Sequence, residues 1–226
     1  MQATMDVFNE RLEEISLYYE ALEELYSSKP KDEHSQKYYE EDFLKVLKSN
    51  ALLMIYNLVE STIIGGMVEI YESLQQNGAT YRQVRREIQD IWFGFKFSQV
   101  YDKKAHYHAY REKAMEIINA ILSDEILSLD RKAANISGNL DADAIRQVCH
   151  EHGIAYHMTS DCRGGIVLTD VREKRNNLAH GTLSFVECGR DYTIEDLKKI
   201  KREVTIFLSD ILNGMKDYYD RELYLR

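Results

Sequence analysis

The sequence predicts an all-α protein, most simply an antiparallel helical bundle. Three observations carry that reading. Apolar residues recur at spacings of three and four over most of the chain, the period of an amphipathic helix. One proline and 11 glycines in 226 residues supply too few turn formers for a loop-rich β fold. Alternation of the β kind is confined to short stretches near residues 155–158 and 183–186, which would suit strands. At 44% hydrophobic and 30% charged, the composition is core-forming and excludes wholesale disorder. The length fits one domain over residues 1–226, with residues 124–165 as an irregular connector or insertion.

Taken in order, Phe8, Leu12, Ile15, Tyr19, Leu22 and Tyr26 form the first helical stripe. It is expected to stop near Ser27, Ser28, Lys29 and Pro30, since proline disfavours helical geometry in the residue before it. A long helix is predicted from about residue 38 to 76, with Phe43, Leu47, Ala51, Met54 and Leu58 inward. Gly65 and Gly66 inside it mark either a kink or a close helix–helix contact. Thr80 opens a helix over about 81–93, where Arg82, Arg85 and Arg86 make a short basic face, and another covers about 103–123. Asp141 is placed to cap a short helix over 142–151 that Gly153 closes. Asp170, with Glu173 three residues on, resembles a capping box for a helix over 171–179 ended by Gly181. Thr193 caps the last helix, whose inward positions are Ile200, Val204, Phe207, Ile211, Met215 and Tyr218.

Charge narrows the function classes. Lys and Arg number 29 against 38 Asp and Glu, a net of −9, which argues against a general nucleic-acid coat protein. A nuclease with a small focused site is compatible, because affinity follows local charge. Residues 1–60 hold six basic and 13 acidic side chains, whereas residues 163–202 hold nine basic and six acidic. Cys149, Cys162 and Cys188 contain no CxxC pair and read as reduced thiols. The N-terminus is acidic and lacks the apolar core of a signal peptide. The apolar run 51–67 is too short and too polar for a bilayer span. A cytoplasmic protein without a membrane partner is expected.

The most informative stretch is VREKRNNLAHG, residues 171–181. On a helix, Asn176 and His180 are i,i+4 neighbours, Arg175 projects from the adjoining face, and Arg172 lies one turn before Asn176. Arginine is a permanently charged fork suited to phosphate, and histidine exchanges a proton near neutral pH. Together with a polar amide they suit phosphodiester cleavage without a metal. The same spacing equally describes an ordinary helix end, with Arg175 in a surface ion pair, His180 as a C-terminal cap and Asn176 solvated.

RNNLAH, Arg175 to His180, resembles the Arg-x4-6-His signature of the HEPN superfamily, with a polar residue directly after the arginine. The glycine at 181, Phe185, Gly189 and Arg190, and a terminal helix opening with Tyr192, Thr193 and Ile194 are similar to the MAE-type branch among prokaryotic conflict systems. The close resemblance covers roughly residues 169–219. It implies a HEPN-type bundle with extra helices and a metal-independent, cofactor-free endoribonuclease acting as toxin or defence effector. It further implies a homodimer in which Arg and His of both subunits meet in one cleft, and a partner antitoxin or modifying enzyme. On this reading Arg175 holds the scissile phosphate of an RNA substrate, His180 handles the proton and Asn176 orients one of them. The products are a 2′,3′-cyclic phosphate and a 5′-hydroxyl. The alternative is a non-catalytic HEPN subunit that binds RNA or a nucleotide within a larger defence or restriction complex.

Further candidates are basic or sulfur-bearing. Lys103, Lys104 and Arg111, around His106 and His108, together with Arg172 and Lys174, are candidate RNA-backbone contacts; a solvated basic face explains the first group equally. Cys149, His150, His152 and His157 fit no usual zinc-ligand spacing. Cys162, Arg163, Gly164 and Gly165 form either a phosphate-binding nest or a plain connector. The 16 tyrosines suit core or dimer packing, with Tyr18–Tyr19, Tyr38–Tyr39 and Tyr218–Tyr219 as pairs.

Overall fold

The computed structural model describes residues 1–28, 41–98, 107–134, 136 and 138–226. Eight α-helices occur among them: α1 (Gln2–Ser27), α2 (Glu41–Gln76), α3 (Arg86–Ser98), α4 (Tyr107–Leu122), α5 (Ala142–His152), α6 (Val167–Ala179), α7 (Phe185–Arg190) and α8 (Ile194–Asp220). A 3-10 segment, Ser160–Gly165, leads into α6. Strands are absent among the described residues, where extended pairing is limited to the isolated bridges Thr80–Ile126 and Val84–Leu225. The chain is all-α.

The centre of the molecule is α2. It packs against α1, α6, α7 and α8, so Ala51, Leu52, Ile55, Leu58, Val59 and Ile63 are all fully buried. By length and composition alone this helix is apolar enough to cross a membrane, and more than half of that window is buried inside the bundle. Being surrounded also explains why a one-sided stripe misjudged it: Phe43, expected inward, is exposed. Gly65 and Gly66 do not break the helix. A Cβ on Gly65 would lie 3.0 Å from Thr4 Oγ1 on α1, and one on Gly66 2.6 Å from Met215 Sδ on α8. The pair therefore lets α2 seat between two neighbours.

The outer helix α8 follows its sequence pattern closely. All six predicted inward residues are buried, and Thr193 forms a capping box with Asp196. On α1, Phe8, Ile15, Tyr19 and Leu22 are buried, but Tyr26 is exposed in the last turn. Asp141 accepts from Ala144 N–H, and Gly153 closes α5 in the left-handed conformation.

Three sequence-based readings change here: a helix start, a basic face and a short strand. The helix expected from Tyr81 begins at Arg86, because residues 81–84 form a turn tied to the chain end through Val84 and Leu225. Arg82, Arg85 and Arg86 do not form an open basic face: they pair with Asp124, Glu87 and Asp90. The strand considered at 183–186 is the start of α7, with Ser184 and Glu187 as a capping box. Of the helix predicted over 103–123, residues 107–122 are helical, while Lys103, Lys104 and His106 lie outside the described residues, as do Pro30, Tyr38 and Tyr39.

Candidate active site

Helix α6 starts four residues earlier than its sequence suggests. Arg163, Gly164 and Gly165 adopt positive φ angles, and a Cβ on Gly165 would collide with the Phe207 ring at 2.6 Å. The chain then passes from Ile166 straight into the helix without a side-chain cap. Asp170 is therefore not the cap but a first-turn residue, and its carboxylate accepts from the Tyr192 hydroxyl at 2.6 Å. Leu168, Val171 and Leu178 anchor α6 in the core. These contacts fix the register of the helix: Arg175, one turn from both Val171 and Leu178, shares their inward side, whereas His180 is exposed.

Arg175 lies half-buried against α2. Its guanidinium carbon sits 4.4 Å from the centroid of the Tyr56 ring, a stacking distance. Nη1 donates to the Gly138 carbonyl at 3.0 Å and to Asn176 Oδ1 at 2.9 Å, and Nη2 pairs with Glu60 at 3.1 Å. An arginine has five N–H donors. The Nε–H and one Nη2 hydrogen make no hydrogen bond to a described residue. The Tyr56 hydroxyl completes the cradle by donating to Gly138 O at 2.8 Å and accepting from Leu140 N–H at 2.9 Å. Burial raises the pKa of that hydroxyl, so it stays a neutral donor.

Asn176 links this cradle to the surface. Its amide nitrogen donates to Asn139 Oδ1 at 2.7 Å. Asn139, Arg172, Glu173, Asn176 and Asn177 line an open cleft of about 540 Å³. His180 occupies the C-cap position, its backbone N–H bonded to Asn176 O at 2.9 Å. The ring is exposed and forms no hydrogen bond or ion pair with a described residue. One motif residue is thus held inward and the other is presented outward, with Asn176 between them in sequence and bonded to both.

The neighbouring basic residues are paired. Arg172 binds Asp141, the same carboxylate that caps α5. Lys174 binds Asp191 at 2.8 Å and lies over the Tyr192 ring; the Asp191 hydrogen bond raises its pKa. Arg111 is exposed on α4, which packs on α3. The structure brings Arg172, Lys174, Arg175, Asn176 and His180 onto one helix end, and places Arg111 on a different part of the bundle.

Sequence reasoning missed Glu60, Tyr56 and Asn139. Glu60 did carry a signal, since an acidic residue in an apolar run calls for a buried partner. Of the other candidate groups, Cys149, His152 and Cys162 are buried, while His150 and His157 are exposed. Among the described residues, no three His, Cys, Asp or Glu side chains gather in a metal-holding group. Cys149 is buried, which pushes its thiol up to about 12. His152 is buried with Nδ1 2.7 Å from Val148 O and Nε2 2.6 Å from the Tyr71 hydroxyl. The Gly164 carbonyl in the candidate nest accepts from Arg146, and Cys162 is buried beneath it.

The chain is thus an all-α bundle whose central helix holds the arginine of an Arg-x4-His helix end. The MAE_28990-like HEPN family model matches residues 2–224, and the chain belongs to that family. No curated protein and no solved structure matches it. HEPN domains are often ribonucleases.

Proposed function

We propose that this protein is a metal-independent endoribonuclease, a cytoplasmic toxin or defence effector that works as a homodimer. The observation that carries this reading is the contrast at the end of α6. An exposed imidazole that bonds no described residue follows, five positions on, an arginine that is held in place while two of its donors meet no described residue. Arg175 neutralises the scissile phosphate through those donors. His180 takes the proton from the attacking 2′-hydroxyl or gives one to the leaving 5′-oxygen. Asn176 fixes the guanidinium through its own carbonyl oxygen. The products are a 2′,3′-cyclic phosphate and a 5′-hydroxyl. A second subunit would supply the opposite arginine and histidine, and Arg172, Lys174, Lys103, Lys104 and Arg111 would contact the RNA backbone. An antitoxin or modifying enzyme would restrain the activity.

The test is RNA cleavage in EDTA by wild type and His180→Ala, with end-group analysis of the products. Loss of cleavage in the variant, and 5′-hydroxyl ends from wild type, are expected. Equal cleavage by both proteins removes His180 from the chemistry. The pairing of Arg175 with Glu60, and the net charge of −9, favour the second reading, a non-catalytic RNA- or nucleotide-binding subunit. That reading predicts RNA binding without turnover, insensitive to EDTA.

A further inference from the structure

Four of the ten exposed large hydrophobic side chains among the described residues crowd into residues 115–126: Met115, Ile118, Leu122 and Ile126, each between 46% and 66% exposed. Single exposed apolar residues are ordinary, but a contiguous group marks a contact surface. Three of the four stand on α4, which already buries Ile117 and Ala120 and packs on α3. At about 100° per residue, Met115, Ile118 and Leu122 fall within about 60° of one another, on the side facing away from Ile117. Together with Arg111 they repeat at intervals of four, three and four, the spacing of a coiled-coil seam. Helix α4 is thus apolar on two sides, and the bundle covers only one of them.

Charge at the two ends of this stripe points to the occupant. His108 pairs with Glu112, Lys113 with Glu116, and Asp124 with Arg82. Arg111 and Glu125 are exposed, and neither forms an ion pair with a described residue. Arg111 lies seven positions before Ile118, and Glu125 lies seven after it, just past the turn that ends α4. One unpaired cation and one unpaired anion at equal sequence distances from the centre make a surface complementary to itself under a two-fold axis. Parallel pairing of two such stripes would instead set like charges together.

We propose that the outer face of α4 docks a second copy of this chain, packed antiparallel about an axis at Ile118. Met115 then meets Leu122 of the partner subunit, and Arg111 meets the partner's Glu125, once on each side of the axis. The seam is short, so the association is of the weak, reversible kind. It is separate from any pairing through α6, which packs on α2, α7 and α8, and it does not rest on the ribonuclease reading. Where both contacts are made, the α4 seam joins α6-based dimers into larger assemblies.

The test is sedimentation of the full chain, without RNA, from about 1 to about 200 µM, a range spanning a Kd on the order of 10 µM. The mean mass should double across it, starting from whichever unit forms without α4. Leu122→Glu and Ile118→Glu, both at exposed positions, should each weaken this step at least about tenfold with the Tm unchanged. Arg111→Glu and Glu125→Arg should each weaken it about fivefold, because like charges then meet at both ends of the seam. In an equimolar mixture of those two variants, the acidic ends of one meet the basic ends of the other, so the doubled mass should return. A mass series that Leu122→Glu leaves unchanged overturns the proposal. So does a mixture of Arg111→Glu and Glu125→Arg that associates no better than either variant alone. Since the readout is mass without RNA, either failure leaves the ribonuclease reading standing.

Discussion

Tyr56 and Tyr71 stand on the same helix, and each roots a polar network of a different kind. Around Tyr71 the network is closed. Its hydroxyl meets His152 Nε2, His152 Nδ1 meets Val148 O, and the Tyr218 hydroxyl donates to His152 O at 2.8 Å. Because a carbonyl can only accept, Nδ1 carries the proton and Nε2 accepts from Tyr71. His152 and the tyrosines are buried, and their polar atoms satisfy one another. Around Tyr56 the network is open: Arg175, Glu60 and Asn176 are partly exposed, two guanidinium donors meet no described residue, and the exposed ring of His180, at the end of the same helix as Arg175, bonds no described residue. The first arrangement specifies a core; the second has capacity for a ligand. Counting unused donors distinguishes them better than counting charged residues.

The sharpest separation comes from the two histidines. His180→Ala should lower RNA cleavage by about 10² to 10⁴ and leave the Tm unchanged, since the ring is exposed and bonds no described residue. A matching fall in Tm would place His180 with the closed network instead. His152→Ala should behave in the opposite sense. It leaves a cavity and an unpaired Tyr71 hydroxyl, costing about 2–4 kcal/mol in chemical denaturation without specific effect on RNA.

Acid should act through the closed network. Burial lowers the His152 pKa, partly opposed by the Val148 carbonyl. The unfolded chain therefore takes up the proton more readily than the folded one. The stability tied to neutral His152 is present above its unfolded value, about 6.5, and is lost as pH falls below it. Comparing Tm across that window should show a decline that His152→Phe flattens; an identical slope in the variant would assign it to other groups. The smallest effect belongs to Glu60→Gln. Removing this part-exposed ion pair should change stability by about 1 kcal/mol or less. It should strengthen RNA binding, because the Arg175 charge is then unopposed, and weaker binding would make Glu60 a necessary positioning residue.

Local physics was legible in the sequence wherever one face meets the core. The stripe of α8, its Thr193 cap, and the Asp141 and Gly153 ends of α5 all lie in short windows. The start of α3 was hidden because Val84 is held by Leu225, far along the chain. Asp170 looked like a cap, but its acceptor is used by Tyr192 and the helix is entered through the glycine turn. At the site, RNNLAH announced the arginine and histidine. Their environment did not follow, since Glu60 and Arg175 are 115 positions apart. Chain proximity says nothing about which carboxylate a folded bundle sets opposite a guanidinium.

The stacked guanidinium of Arg175 has one further consequence. A free arginine surrenders about 2 kcal/mol of rotational freedom when it grips an oxyanion. Here the aromatic floor and the Gly138 carbonyl impose that loss at folding, long before any anion arrives. Encounter with a charged group at this edge would then draw on a pre-set fork, so its association should carry an unusually small entropic penalty.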